Sequence, residues 1–176
     1  MKAGTDLRTI TTRTGFVQDE FMDPRAVIEK LRDLIDHQVG VSDWFLIDQN
    51  RINQFAECTG DQQWIHVDVE KAAQGPFGRT IAHGFLTLAL IPAMSQCIQL
   101  PFDSSEVQMS INYGLNKVRF LNPVPVNSRI RSRVILTDIE VKPPGRILLT
   151  YKHTIEIKDQ DKPACVAEVI GLLVLK

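Results

Sequence analysis

One segment limits the possible folds more than any other. From His83 to about Ile98 the chain is apolar on nearly every side of a helical projection, through Phe85, Leu86, Leu88, Ala89, Leu90, Ile91 and Met94. A helix of that kind has no face to show to water and must be enclosed. The following residues supply the enclosure. From Glu106 the pattern changes to period two: Met109, Ile111 and Tyr113 alternate with polar residues, as do Val118 and Phe120, then Ile130 and Val134, then Ile147, Leu149 and Tyr151, then Val166, Val169 and Leu173. Turn signals at Asn122-Pro123, Pro143-Pro144-Gly145 and Lys158 to Pro163 separate these runs into four strands. The order predicts an α+β domain in which an antiparallel sheet wraps one long central helix.

Upstream, residues 1–23 show no apolar period and read as an arm. Asp23 is placed to cap a helix opened by Pro24, with Val27, Ile28, Leu31, Leu34 and Ile35 at helical spacing to about His37. Val41 to Ile47 reads as a short strand. Asp48 is a second N-cap candidate, for a helix with Ile52, Phe55 and Ala56 on one face and Gly60 at its end. Asp61 to Val67 is irregular, a short helix follows from Asp68 to Gln74, and Gly75-Pro76-Phe77-Gly78 breaks the chain before the buried helix.

A chain of 176 residues suits one globular domain with an appendage and can bury its own core without staples. Twenty Lys and Arg against 21 Asp and Glu leave a formal charge of -1, which gives no chain-wide case for nucleic acid. No secretory signal is visible and no stretch suits membrane insertion, so the expectation is a cytoplasmic protein. Cys58, Cys97 and Cys165 are odd in number and lack CxxC spacing, which fits a reducing compartment without a metal site. Cys58, on the apolar helix, reads as a small core residue rather than a nucleophile. Ser95 and Thr87 lack the GxSxG context of a nucleophile.

Two stretches gather polar groups beside buried elements. Asp61 and His66 would stand about 140° apart on an α-helix, so they meet only in a non-helical segment. Together they make an acid/base pair for neutral pH; separately, a turn cap and a packing histidine. The second stretch ends at His83-Gly84, where the first backbone N–H groups of the buried helix lack helical acceptors and suit an oxygen that gains charge. The alternative is that these two residues only shape the helix entry. A third feature is electrostatic: Val107 to Thr137 holds Lys117, Arg119, Arg129, Arg131 and Arg133 without an acid. The alternating arginines share one strand face. A solvated face is the preferred reading, with phosphate contact as the alternative.

Taken together, Phe55-Ala-Glu-Cys-Thr-Gly-Asp-Gln-Gln-Trp-Ile-His-Val-Asp68 and Gly75-Pro-Phe-Gly-Arg-Thr-Ile-Ala-His-Gly-Phe-Leu86 resemble the hydratase motif of MaoC-like (R)-specific enoyl-CoA hydratases, in their NodN-type branch. The resemblance runs from about Val39 to the C-terminus and takes in Asn112 to Phe120 and the turn at Pro123 to Val126. It implies residues 39–176 as a hot-dog domain, residues 1–38 as an added arm and helix, and a homodimer with two sheets joined edge to edge. It implies a lyase of fatty acid metabolism that hydrates trans-2-enoyl-CoA reversibly to (R)-3-hydroxyacyl-CoA, with no metal or redox cofactor, coenzyme A being part of the substrate. By position, Asp61 and His66 would activate water and the Gly84 N–H would stabilise the thioester enolate. Gln63, Trp64, His83 and Phe85, with Arg129 and Arg131, would contact substrate. Two departures stand out: Gln63-Trp64 replaces an Asn-Pro pair, and Ala89 replaces a serine, leaving that hydroxyl absent or supplied elsewhere, with Thr87 as the candidate. A hot-dog thioesterase and a non-catalytic acyl-thioester binder are the alternatives.

Overall fold

The computed structural model describes residues 24–102 and 104–176. The arm and its cap Asp23 lie outside them. In chain order the elements are α1 (Pro24–Arg32), β1 (Gln38–Val41), β2 (Phe45–Ile47), α2 (Gln49–Thr59), α3 (Trp64–Val67), α4 (Val69–Ala73), α5 (Gly84–Ala89), α6 (Ile91–Met94), β3 (Val107–Phe120), β4 (Ser128–Lys142), β5 (Arg146–Ile157) and β6 (Cys165–Leu175). The strands form one antiparallel sheet in the order β1-β4-β5-β6-β3, with β2 also paired to β4. This is the α+β arrangement that the alternating strands require, curled around α5 and α6, which pack on β6 and β4 respectively.

The central helix is not one run. Pro92 has no N–H to give, so regular α-structure stops at Ala89, restarts at Ile91 and ends in a 3-10 turn over Ser95–Cys97. The expected enclosure is met on the inner side: Leu86, Ile91 and Met94 are buried with Ile130, Ile155 and Ala167 of the sheet. Each large side chain so enclosed contributes about 1.5–3 kcal/mol.

Other boundaries shift for local reasons. The first helix ends at Arg32 rather than near His37, because Asp36 takes a left-handed conformation (φ 65°) and its N–H donates to Leu136 O at 2.7 Å, turning the chain onto the sheet. Val27 and Leu31 nevertheless join the core with Val134, Leu136 and Leu149. The single strand expected over Val41 to Ile47 is two strands. Ser42 Oγ accepts the Ser132 N–H at 2.9 Å, a bond that a strand carbonyl would otherwise take, and the chain steps away from the sheet before re-pairing at Phe45.

Among the described residues no helix is long and apolar enough to cross a membrane.

Candidate active site

The site is assembled by turns whose chemistry the sequence shows. Asp48 caps α2, its carboxylate accepting the Arg51 N–H at 2.8 Å, and Gly60 ends α2 in a left-handed turn with φ 79°. That reversal points the chain from α2 into Asp61. The segment expected to be irregular then makes one helical turn, α3, which carries His66 inward; Asp68 caps α4 by accepting the Lys71 N–H at 2.9 Å. Gln49 of α2 ties these pieces together. Its amide donates to His66 O at 2.8 Å and accepts from the Thr80 hydroxyl, which is itself buried. Sequence reasoning missed this residue, since a glutamine on a helix carries no signature of its distant partners.

His66 is 6% exposed, and its Nδ1 lies 2.7 Å from Ile81 O. A carbonyl can only accept, so Nδ1 carries the proton and Nε2 is left as the basic nitrogen of the neutral ring. Burial pushes the His66 pKa down, the Ile81 bond opposes this, and His83 and Asp61 act in opposite directions with smaller effect. The net result is a ring held neutral. Ile81 is itself positioned by the Pro123 to Val126 turn, through Ala82 N–H to Val124 O at 2.8 Å and Val126 N–H to Thr80 O at 2.9 Å.

The pair expected from sequence does meet. Donor atoms of Asp61, His66 and His83 all lie within 4.8 Å of one another, with Asp61 exposed and both histidines buried. His83, the residue before α5, stacks on His66 with ring centroids 3.8 Å apart, and its Nε2 donates to Asp61 O at 3.0 Å. It therefore braces both members of the pair from behind. One ring nitrogen of each histidine is bonded to a carbonyl, which leaves His66 Nε2 and His83 Nδ1 without a protein partner among the described residues.

His66 opens onto a cavity of about 280 Å³ that Gly84, Thr87, Phe120 and Val124 also line. As the first residue of α5, Gly84 has an N–H without an intrahelical acceptor. A Cβ at this position would lie 3.0 Å from the Phe120 ring, so glycine is what allows the close approach. Thr87, 2% exposed, brings the hydroxyl that Ala89 lacks to the same cavity.

The remaining sequence candidates sit elsewhere. Trp64 packs against Gly75 and beneath Lys71, whose Nζ is 5.0 Å from the ring centroid, and Gln63 is exposed. Phe85 is 68% exposed and meets Phe120 edge to face. Arg129, Arg131 and Arg133 lie on the outer face of β4, since Ile130, Ser132 and Val134 point inward. Arg131 and Arg133 both pair with Glu156, at 2.7 and 3.1 Å, and Arg131 covers Trp44. Cys58 is exposed rather than a core residue, because it falls on the outer side of α2 from Ile52 and Ala56.

A family model described as the MaoC like domain matches residues 30–156. The chain belongs to the MaoC-like family. This MaoC-like chain is 52% identical over 133 residues to 3-hydroxyacyl-thioester dehydratase Z of Mycobacterium tuberculosis, covering 76% of this chain and 86% of that one. It is 42% identical over 140 residues to Nodulation protein N of Rhizobium leguminosarum bv. viciae, covering 79% and 86%, which agrees with the NodN-type wording of its motifs. The fold matches the (R)-hydratase from A. caviae involved in PHA biosynthesis with a TM-score of 0.61 at 25% identity, over 76% of this chain and 94% of that structure. The hot-dog architecture implied by the motif resemblance is thus the family fold, and it is the sheet-wrapped α+β arrangement that the apolar run and the alternating strands predict.

Proposed function

We propose that this MaoC-like chain is a hydro-lyase that adds water reversibly to a trans-2-enoyl thioester to give the (R)-3-hydroxyacyl thioester. The observation that carries this reading is the neutral His66, with Nε2 free, beside the Asp61 carboxylate at a cavity also lined by Gly84. In the hydration direction Asp61 and His66 hold a water and remove its proton as its oxygen bonds to C3. The C2–C3 π pair moves onto the thioester, and the oxygen that gains charge accepts from the Gly84 N–H, a bond strongest in the transition state. The proton then returns to C2, and dehydration is the reverse. Thr87 supplies a hydroxyl beside the pair. His83 acts as a brace, and the coenzyme A end of the thioester extends toward Arg129 and Arg131.

The protein acts as a homodimer joined through β3. That strand is an edge of the sheet, and Met109, Ile111, Tyr113 and Leu115 along it are all exposed. A long apolar edge left unpaired is an association surface.

Folded Asp61→Asn and His66→Gln proteins are expected to lose crotonyl-CoA hydration by at least about two orders of magnitude, the scale of a general acid/base group. Near wild-type turnover in both would sink the assignment. A thiol reagent should detect no release of free coenzyme A, which separates hydration from thioester cleavage.

A further inference from the structure

The chemistry at Asp61 and His66, braced by His83, leaves one buried histidine unused among the described residues. His153 of β5 is 1% exposed, and its Nδ1 lies 2.9 Å from the hydroxyl of Ser132, a fully buried residue of β4. His153 and Tyr151 form part of the wall of a second cavity, of about 770 Å³, which lies between α5–α6 and strands β3, β5 and β6 and opens to the surface beside the exposed Tyr113 and Leu115. Leu88, Ile91, Leu149, Val169 and Leu173 make most of that wall apolar.

The proton on His153 can be placed. Burial pushes its pKa down to about 4, so the ring is neutral and carries one N–H. The Ser132 hydroxyl has His153 Nδ1 as its partner, while the Ser132 backbone N–H goes to Ser42 Oγ. A buried hydroxyl without another acceptor donates where it can. Nδ1 therefore accepts, and the ring proton sits on Nε2. Among the described residues Nε2 has no protein partner, yet it is not among the sealed, unsatisfied polar atoms; its open side is the cavity. Tyr151 Oη likewise has no protein partner among the described residues. Ser95, Ser110 and Asn112 also line this mostly apolar cavity, but a buried hydrogen-bonding group such as His153 Nε2 is costly unless something in the cavity answers it.

The cavity is continuous in sequence with the reaction site. α5 places Gly84 and Thr87 at the smaller cavity and Leu88 and Ala89 at the larger one. At the rise of an α-helix, Leu88 and Ala89 stand about 6–8 Å along the axis from Gly84.

We propose that the larger cavity receives the acyl chain and that His153, held by Ser132, together with Tyr151 hydrogen-bonds an oxygen carried by that chain beyond the reacting carbons. The preferred substrate is then an enoyl thioester with a keto or hydroxyl group in its tail, not a plain alkyl one. This rests on the hydro-lyase reading above.

The test compares crotonyl-CoA, a plain medium-chain enoyl-CoA, and congeners of the latter with a keto or hydroxyl group at successive tail positions. The readout is the ratio of kcat/KM, oxygenated over plain, taken within each protein. In wild type one position should give a ratio of roughly ten, the scale of one buried hydrogen bond. His153→Phe and Tyr151→Phe should each lower that ratio, His153→Phe to about one, whereas His153→Gln, which keeps a donor, should retain part of it. A wild-type ratio at or below one at every position overturns the inference, as does a ratio unmoved by both phenylalanine variants. If His153→Phe does not fold, Tyr151→Phe and His153→Gln decide the matter. Flat ratios with crotonyl-CoA still hydrated defeat this inference alone; no hydration of any ester defeats the reading beneath it.

Discussion

His153 should make the protein sensitive to mild acid, and the size of the effect follows from its burial. The unfolded chain takes up a proton at this histidine near pH 6.5, while the folded ring stays neutral down to about 4. Unfolding therefore gains a proton in that window, and native stability falls as the pH drops through it. Each pH unit between the two values is worth about 1.4 kcal/mol, so the full loss is on the order of 3 kcal/mol once both states are titrated. At about pH 5, where only the unfolded chain is protonated, roughly 2 kcal/mol is already gone. The assay is denaturant unfolding of wild type and His153→Gln at about pH 7.5 and pH 5, at one protein concentration so that any self-association does not intrude. Wild type should lose about 2 kcal/mol more than the variant across that interval. Parallel losses in the two proteins would show that the ring is not buried and neutral, and would remove the placement of its proton on Nε2.

The lowered His66 pKa sets the acid limb of catalysis: kcat/KM for hydration should fall with an inflection below 6.5, where the ring takes up a proton, and an inflection above 6.5 would contradict the buried, neutral base. If Arg129 and Arg131 meet the coenzyme A phosphates, their replacement by alanine should raise KM for the CoA ester and spare a pantetheine thioester. Equal effects on both would return these residues to the Glu156 pairing on the outer sheet face. Ile111→Lys, placing charge on the apolar edge of β3, should shift the protein from dimer to monomer in sedimentation at micromolar concentration; an unchanged dimer would locate the interface elsewhere.

The architecture was legible because its signals are local. Asp48 and Gly60 mark the ends of α2 through capping and a left-handed turn, and the alternation after Glu106 shows the strands directly. The misplaced boundaries arose where a distant group intervenes. Nothing near Val41 reveals that Ser42 will take the N–H of Ser132, and nothing near Leu34 reveals that Asp36 will bond Leu136. Pro92 was visible, but the apolar run around it outweighed its missing N–H. The same division holds at the site. Asp61, His66, His83 and Gly84 were legible as a motif, with His83 read as a substrate contact, whereas the bracing bonds of Gln49, Thr80 and His83 run to partners 17 to 31 residues away. The arginines were read correctly as one strand face, but their shared partner Glu156 lies on the neighbouring strand and leaves no trace in their own spacing.

Both histidines of the site are anchored on main-chain oxygens, Ile81 O and Asp61 O. Such acceptors survive any change of side chain at their own positions. Asp61→Asn should therefore remove a charge while keeping the anchor for His83, which makes it a clean probe of the chemistry. Divergence at position 81 should likewise be tolerated wherever packing allows. Alignment of the His66 ring is instead vulnerable to whatever steers the backbone, and here that is the Pro123 to Val126 turn. Relatives could retune the reaction by lengthening or reshaping this loop without touching a single residue that meets the substrate.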